Sequence, residues 1–152
     1  MHCIIGSQYA WGNIVPYIVG YYRDLGFDAN LSKFYFVLPL IVATSTFVFP
    51  LGMALTAQAG SRLTILLGGI IACTAVAFAS VASSPLSFYV LYGIGFGVGK
   101  GFLYPSPLVA GWSHLPGRKG FVSGIIVSGL GFGALVFGIL AQRIVNPNNI
   151  EP

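Results

Sequence analysis

The residue best placed to do chemistry in this chain is a lysine inside an apolar run. Lys100 stands in the stretch Gly93-Ile-Gly-Phe-Gly-Val-Gly-Lys-Gly101, which invites reading as a phosphate-binding loop. The spacing fails. A Walker loop needs glycine where Ile94 stands and Ser or Thr where Gly101 stands, and the dinucleotide fingerprint needs glycine at Lys100. Both motifs also require a strand leading into a soluble helix. What is left is an ammonium able to hold an anion. The remaining reactive side chains are sparse: two His, two Cys and three acids, with no carboxylate pair, Ser/His/Asp set or metal-ligand spacing within the apolar segments. Cys3 and Cys73 lie in apolar stretches and read as packed thiols. This inventory predicts a protein that is not an enzyme, with no metal and no cofactor.

The elements that must position Lys100 follow from where the other charges fall. The 152 residues include seven Lys or Arg and three Asp or Glu, 7% in all, against 56% hydrophobic residues. Mean hydropathy is +0.86. A soluble domain carries about 25% charge, so the composition excludes a soluble globule and a disordered tail and predicts an integral, multi-pass membrane protein with the lipid bilayer as its surroundings. No basic run exists to follow a phosphate backbone, so nucleic acid is not an expected partner. The charges cluster at 23–33, 62, 118–119 and 143–151, leaving apolar segments of about 20 residues or more, the length of a membrane-crossing helix. The expected architecture is an all-α polytopic helix bundle, one transmembrane domain over 1–152, with spans at 2–22, 34–58, 63–83, 86–111 and 120–142. Ser83-Ser84-Pro85 divides the third span from the fourth. Segment length and the lack of apolar/polar alternation exclude β-barrel strands. The first segment is no cleaved signal peptide, because it lacks a basic start and is interrupted by Gln8, Asn13 and five Tyr or Trp rings.

Five spans put 59–62 and 113–119 on one side and 23–33, 84–85 and 143–152 on the other. Arg62, Arg118 and Lys119 then oppose Arg23, Lys33 and Arg143, a tie in basic residues. All three acids accompany the second set, giving +3 against 0, which favours the Arg62 and Arg118 side as cytoplasmic.

Lys100 falls near the bilayer midplane, since the helix rises about 1.5 Å per residue, and an interface some 15 Å away is beyond a lysine's reach. Its cost there is about 2.5–3.5 kcal/mol on insertion scales. No acid occurs in any span to offset it. The ammonium therefore faces water, an anion, carbonyls of a neighbouring helix or an acid from another chain, or is held by Tyr hydroxyls for packing alone. Tyr92, Phe96, Lys100 and Tyr104 share one helical face, as do Tyr9, Asn13 and Tyr17 in the first span. The second stripe serves either interhelical hydrogen bonding or the lining of a pathway. We expect Tyr9, Asn13, Tyr17, Lys100 and Tyr104 to gather around one central cavity. The third span has only Ser, Thr and Cys as polar groups and reads as lipid-facing. Gly93, Gly97 and Gly101 line another face of span four, and Gly120, Gly124, Gly129 and Gly133 do the same in span five. Glycines at this spacing let membrane helices approach backbone to backbone.

Three segments carry a family resemblance. Pro50-Leu-Gly-Met-Ala-Leu-Thr-Ala-Gln-Ala-Gly60-Ser-Arg62 is a Gly-rich, Arg-ended connection between spans two and three. Gly111-Trp112-Ser-His-Leu-Pro-Gly-Arg118-Lys119-Gly120, with Ser123-Gly124, connects spans four and five. Gly6-Ser-Gln-Tyr-Ala-Trp-Gly12, Tyr104-Pro105 and Gly129-Leu-Gly-Phe-Gly-Ala-Leu-Val-Phe137 complete the set. Together they resemble the N-terminal half of the major facilitator superfamily of secondary transporters, the last group its oxalate/formate and monocarboxylate porter branch. The resemblance implies that Gly60, Arg62, Trp112, Arg118 and Lys119 form cytoplasmic loop motifs. Two departures stand out. Ala57 takes the place of the family's loop acid, and the Gly-Pro-x-x-Gly-Gly signature of drug antiporters is absent from span five. Five spans are also fewer than a six-helix half, so the chain is expected to be a partial half that works with a second transporter half or other membrane subunits.

Two functions from different classes fit. One is a secondary-active transporter, or an N-terminal fragment of one, that moves a small organic anion such as a monocarboxylate by alternating access. The other is a non-transporting structural subunit of a larger membrane complex, derived from a transporter.

Overall fold

Backbone polar groups in hydrocarbon must be satisfied within the segment, and every element of the computed structural model, which describes residues 1–146, is helical. The chain opens with α1 (His2–Ile5), a 3-10 stretch at Gly6–Ala10 and α2 (Trp11–Asp24). There follow α3 (Leu31–Tyr35) with α4 (Val37–Ala59), then α5 (Ser61–Ala79). The next run joins α6 (Pro85–Phe88), a π-helical stretch at Tyr89–Gly95, α7 (Phe96–Leu103) and α8 (Pro105–His114). A 3-10 turn at Pro116–Arg118 leads into α9 (Lys119–Val145).

Four of these runs are long and apolar enough to cross a membrane: Leu31–Ala59, Ser61–Ala79, Pro85–His114 and Pro116–Val145. The segment expected as the span 2–22 is not among them. The 3-10 stretch divides it, and Pro16 inside α2 withholds the N–H that the Gly12 carbonyl would accept. The end of the 143–152 segment, with Glu151, lies outside the described residues.

Short-range chemistry sets the boundaries. The Asn30 side chain accepts from the Ser32 N–H at 3.0 Å to start α3, and Ser84 accepts from the Ser87 N–H at 3.2 Å to start α6, with Pro85 at the first helical position. Between α4 and α5 the chain reverses through Gly60 alone, at φ +85°, a conformation that other residues rarely adopt.

The long helices meet through small residues. Gly93, Gly97 and Gly101 face α4, where an added methyl would lie 2.5 Å from Leu40, 2.8 Å from Thr44 and 2.5 Å from Val48, respectively. Residue numbers rise together along this seam, so α4 and the Pro85–His114 run are parallel. The opposite seam is equally close. A methyl on Gly99 would lie 2.6 Å from the Ala72 backbone nitrogen, and one on Gly95 would lie 2.8 Å from Ala75 of α5. Here the numbers run in opposite senses, so α5 is antiparallel. Gly129 and Gly133 of α9 back onto His2 and Cys3, while Gly6 backs onto Leu130, Gly133 and Ala134, a parallel contact. Gly120 and Gly124 meet nothing within 4 Å. The expectation that they pack like Gly129 and Gly133 is therefore corrected: the start of α9 meets α8 through Val122, Ser123 and Ile126, a different face from the one that carries Gly120 and Gly124.

Aromatic rings fill one end of the bundle. Tyr22 stacks on Phe34 at 5.6 Å, Trp11 on Phe88 at 5.7 Å and Phe34 meets Tyr89 at 5.2 Å. The Tyr22 hydroxyl donates to the Ala82 carbonyl at 3.0 Å, fixing α2 to the α5–α6 connection. The outer faces carry Phe47, Leu66, Phe78, Phe132 and Ile144, all exposed, an apolar surface suited to lipid or to other membrane helices. The protein is an all-α membrane helix bundle.

Replacing Gly97 or Gly133 by Leu should overpack its seam and cost on the order of 1–3 kcal/mol, read as a fall in folded, detergent-extractable protein. Gly124→Leu, in open space, should leave the yield unchanged. Equal yields from all three variants would contradict these seams.

Candidate functional site

The Pro85–His114 run is the most enclosed of the four long helices, with 44% of its most apolar window buried, against 11% for Pro116–Val145. Lys100 sits at its middle, flanked by Gly99 and Gly101, whose lack of side chains lets α5 and α4 close on both sides. Only 6% of Lys100 is exposed. Among the described residues it makes no hydrogen bond or ion pair, and the single ion pair is Lys33 with Asp28 at 2.7 Å, out in the α2–α3 connection.

Two irregularities frame the lysine. On its N-terminal side the backbone widens into the π-helical stretch Tyr89–Gly95, a feature often found at functional sites. On its C-terminal side Pro105 starts α8 and leaves the Gly101 carbonyl without its usual N–H partner. Just beyond, Thr56 of α4 and Ser106 of α8 share a buried hydrogen bond of 2.8 Å. The stripe running through Lys100 is a column of rings. Tyr92 stacks on Phe96 at 5.6 Å, and Tyr104 stacks on Phe49 of α4 at 5.1 Å.

The first segment meets this column with a face that the sequence reading did not select. His2 lies 4.9 Å from Tyr104, and Trp11 stacks 5.4 Å from Tyr92, centroid to centroid. The contacting face runs through His2, Ile5, Gln8, Trp11, Val15, Val19 and Tyr22, all buried. Tyr9 and Asn13 are exposed and Tyr17 is half-buried, so Lys100 and Tyr104 come together on one face without that stripe. The physical reason is the 3-10 stretch. Its three residues per turn bring positions 5, 8 and 11 onto one face, whereas the four-residue spacing of an α-helix points to 9, 13 and 17. The signal that could have found the packed face was the spacing of His2, Gln8 and Trp11 by multiples of three.

The loop-motif residues lie apart from Lys100, at the helix ends. Arg62 is exposed in the first turn of α5, and Arg118 and Lys119 are exposed at the start of α9, where the helix dipole disfavours a cation. Trp112 donates through Nε1 to Ser123 Oγ at 2.8 Å, clamping α8 to α9.

No family model matches the chain, and no solved structure matches it. The sequence is 31% identical to apicoplast pyruvate carrier 1 of Toxoplasma gondii, across all of this chain and 34% of that protein. It is 30% identical to apicoplast pyruvate carrier 2 of the same organism, across 83% of this chain and 20% of that protein. With monocarboxylate transporter 13 of Rattus norvegicus the identity is 25%, across 79% of this chain and 28% of that protein. The chain thus spans about a third or less of the length of these relatives. It is an integral, multi-pass membrane protein related to these carriers and transporters.

Proposed function

We propose that this chain is part of a secondary-active transporter of the major facilitator type, one that moves small organic anions such as a monocarboxylate by alternating access. The observation that carries the proposal is Lys100, an unpaired cation buried at the middle of the most enclosed helix. A charge placed there without a partner is costly, and a transported anion repays that cost only while it is bound. The relatives, named as carriers of pyruvate and monocarboxylates, support the same chemistry. In this reading Tyr104 borders the anion, a second transporter half or other membrane subunits close the opposite wall, and the exposed Tyr9 and Asn13 face that wall. Gly60, Arg62, Trp112, Arg118 and Lys119 belong to cytoplasmic connections.

Lys100→Met, similar in length and uncharged, tests the site in the full reading frame containing this chain. Losing a charge-assisted hydrogen bond is worth about 1.5–3 kcal/mol, so pyruvate uptake should fall roughly 10- to 100-fold with unchanged membrane levels. Undiminished uptake would leave Lys100 a packing residue. Sidedness has its own test. Single cysteines at positions 61 and 113, in a background otherwise free of cysteine, should react with an impermeant reagent from the same, cytoplasmic face. Labelling from opposite faces would refute the arrangement.

A further inference from the structure

The described helices follow one packing rule on one side of the bundle and half of that rule on the other. The Pro85–His114 run is held by two consecutive helices: α4, parallel to it, and α5, joined to α4 through Gly60 and antiparallel. The first segment is held by α9 in the same parallel sense, with Gly6 against Leu130 and Asn13 beside Gly138. Beside this second pair, where an antiparallel member would complete the pattern, lies an apolar groove of about 490 Å³. Its walls include Ala10 and Ile14 of the first segment, Val76 and Ala79 of α5, and Leu140 and Ala141 of α9. A hollow of about 290 Å³ continues it past Tyr17, Tyr21 and Val145. We propose that this groove seats a further membrane helix of the full reading frame, the one that follows α9 and crosses back antiparallel to it. The inference does not depend on what the protein transports.

Shape, lining and chain direction each favour that occupant. Along the first segment the two hollows extend from Ser7 to Tyr21, about 20 Å at 1.5 Å per residue, most of the depth of a hydrocarbon core. A trough of that length suits a helix better than a compact solute. Ser7, Ala10, Ala79, Ser80 and Ala141 keep its walls low, and small residues are what let membrane helices approach one another closely. A lipid chain would tolerate the same walls but would gain nothing from their smallness. It would also leave the Ser7 hydroxyl, which makes no hydrogen bond among the described residues, without an acceptor. The last turns of α9 form one wall, and consecutive elements are usually neighbours in space. A helix following α9 would run antiparallel to the first segment, as α5 does to the Pro85–His114 run. Length allows for it, since this chain covers 34% of apicoplast pyruvate carrier 1.

Benzoylphenylalanine, a photo-reactive residue, tests the seating when placed singly at Val76 and at Leu140 of the full protein in its membrane. Illumination should join both positions to one apolar segment lying within about 30 residues after Val145, a short connection plus one span. Mass spectrometry of the joined peptides identifies it. The same residue in place of Phe78, exposed on α5 and outside the groove, should give no product with that segment. A peptide product from Val76 and Leu140 alone would support the inference. Products with lipid alone, with a second copy of the chain or with a segment further along would overturn it. An equal product from Phe78 would overturn it as well, because contact would then not be confined to the groove.

Discussion

Helices in hydrocarbon gain nothing by burying one leucine against another, so this bundle depends on how closely its backbones approach. That constraint is concentrated in the Pro85–His114 run. Glycines on one face admit α4, and Gly95 and Gly99 on the other admit α5, so the run that carries Lys100 is gripped from two sides. The grip also explains the lysine's isolation. Neighbours that approach this near leave no room for a carboxylate-bearing side chain, and neither α4 nor α5 carries one. Close packing and an unpaired charge are thus two consequences of one glycine-rich sequence.

The helical segments and their apolar outer faces were legible in composition and charge spacing, because both depend only on the cost of placing polar groups in lipid. The seam of Gly93, Gly97 and Gly101 was legible because a four-residue spacing holds wherever the backbone is α-helical. The second seam, through Gly95 and Gly99, was not singled out, although the same run of sequence contains it. Its partners Ala72 and Ala75 are small but unremarkable within an apolar span. The face by which the first segment packs within this chain was not singled out, for a sharper reason. Periodicity reports a face only when the helix type is known, and nothing in Gly6-Ser-Gln-Tyr-Ala10 announces a 3-10 stretch. One change of helical pitch moved the buried set from Tyr9, Asn13 and Tyr17 to His2, Gln8 and Trp11.

The irregular backbone follows the same logic as the charge. Among the described residues, the π-helical stretch at Tyr89–Gly95, the Pro105 break and the 3-10 stretch at Gly6–Ala10 all border the Lys100 column. Each exchanges regular hydrogen bonding for a local change in side-chain direction, which is tolerated in a membrane only where protein or a polar cavity surrounds it. The departures are absent from α5 and α9, regular helices that leave most of their length uncovered by the rest of the chain.

The distribution of packing gives these features a common sense. Two sub-bundles emerge, one of α4, α5 and the Pro85–His114 run, the other of the first segment with α9, joined mainly by ring contacts and by the α8–α9 connection with its Trp112–Ser123 clamp. The unsatisfied polar atoms lie on the boundary between the two bodies, and the glycine seams of α4, α5 and the first segment lie within them. The transport proposed above asks for that division: rigid packing within each body, and polar groups without internal partners at the boundary between them.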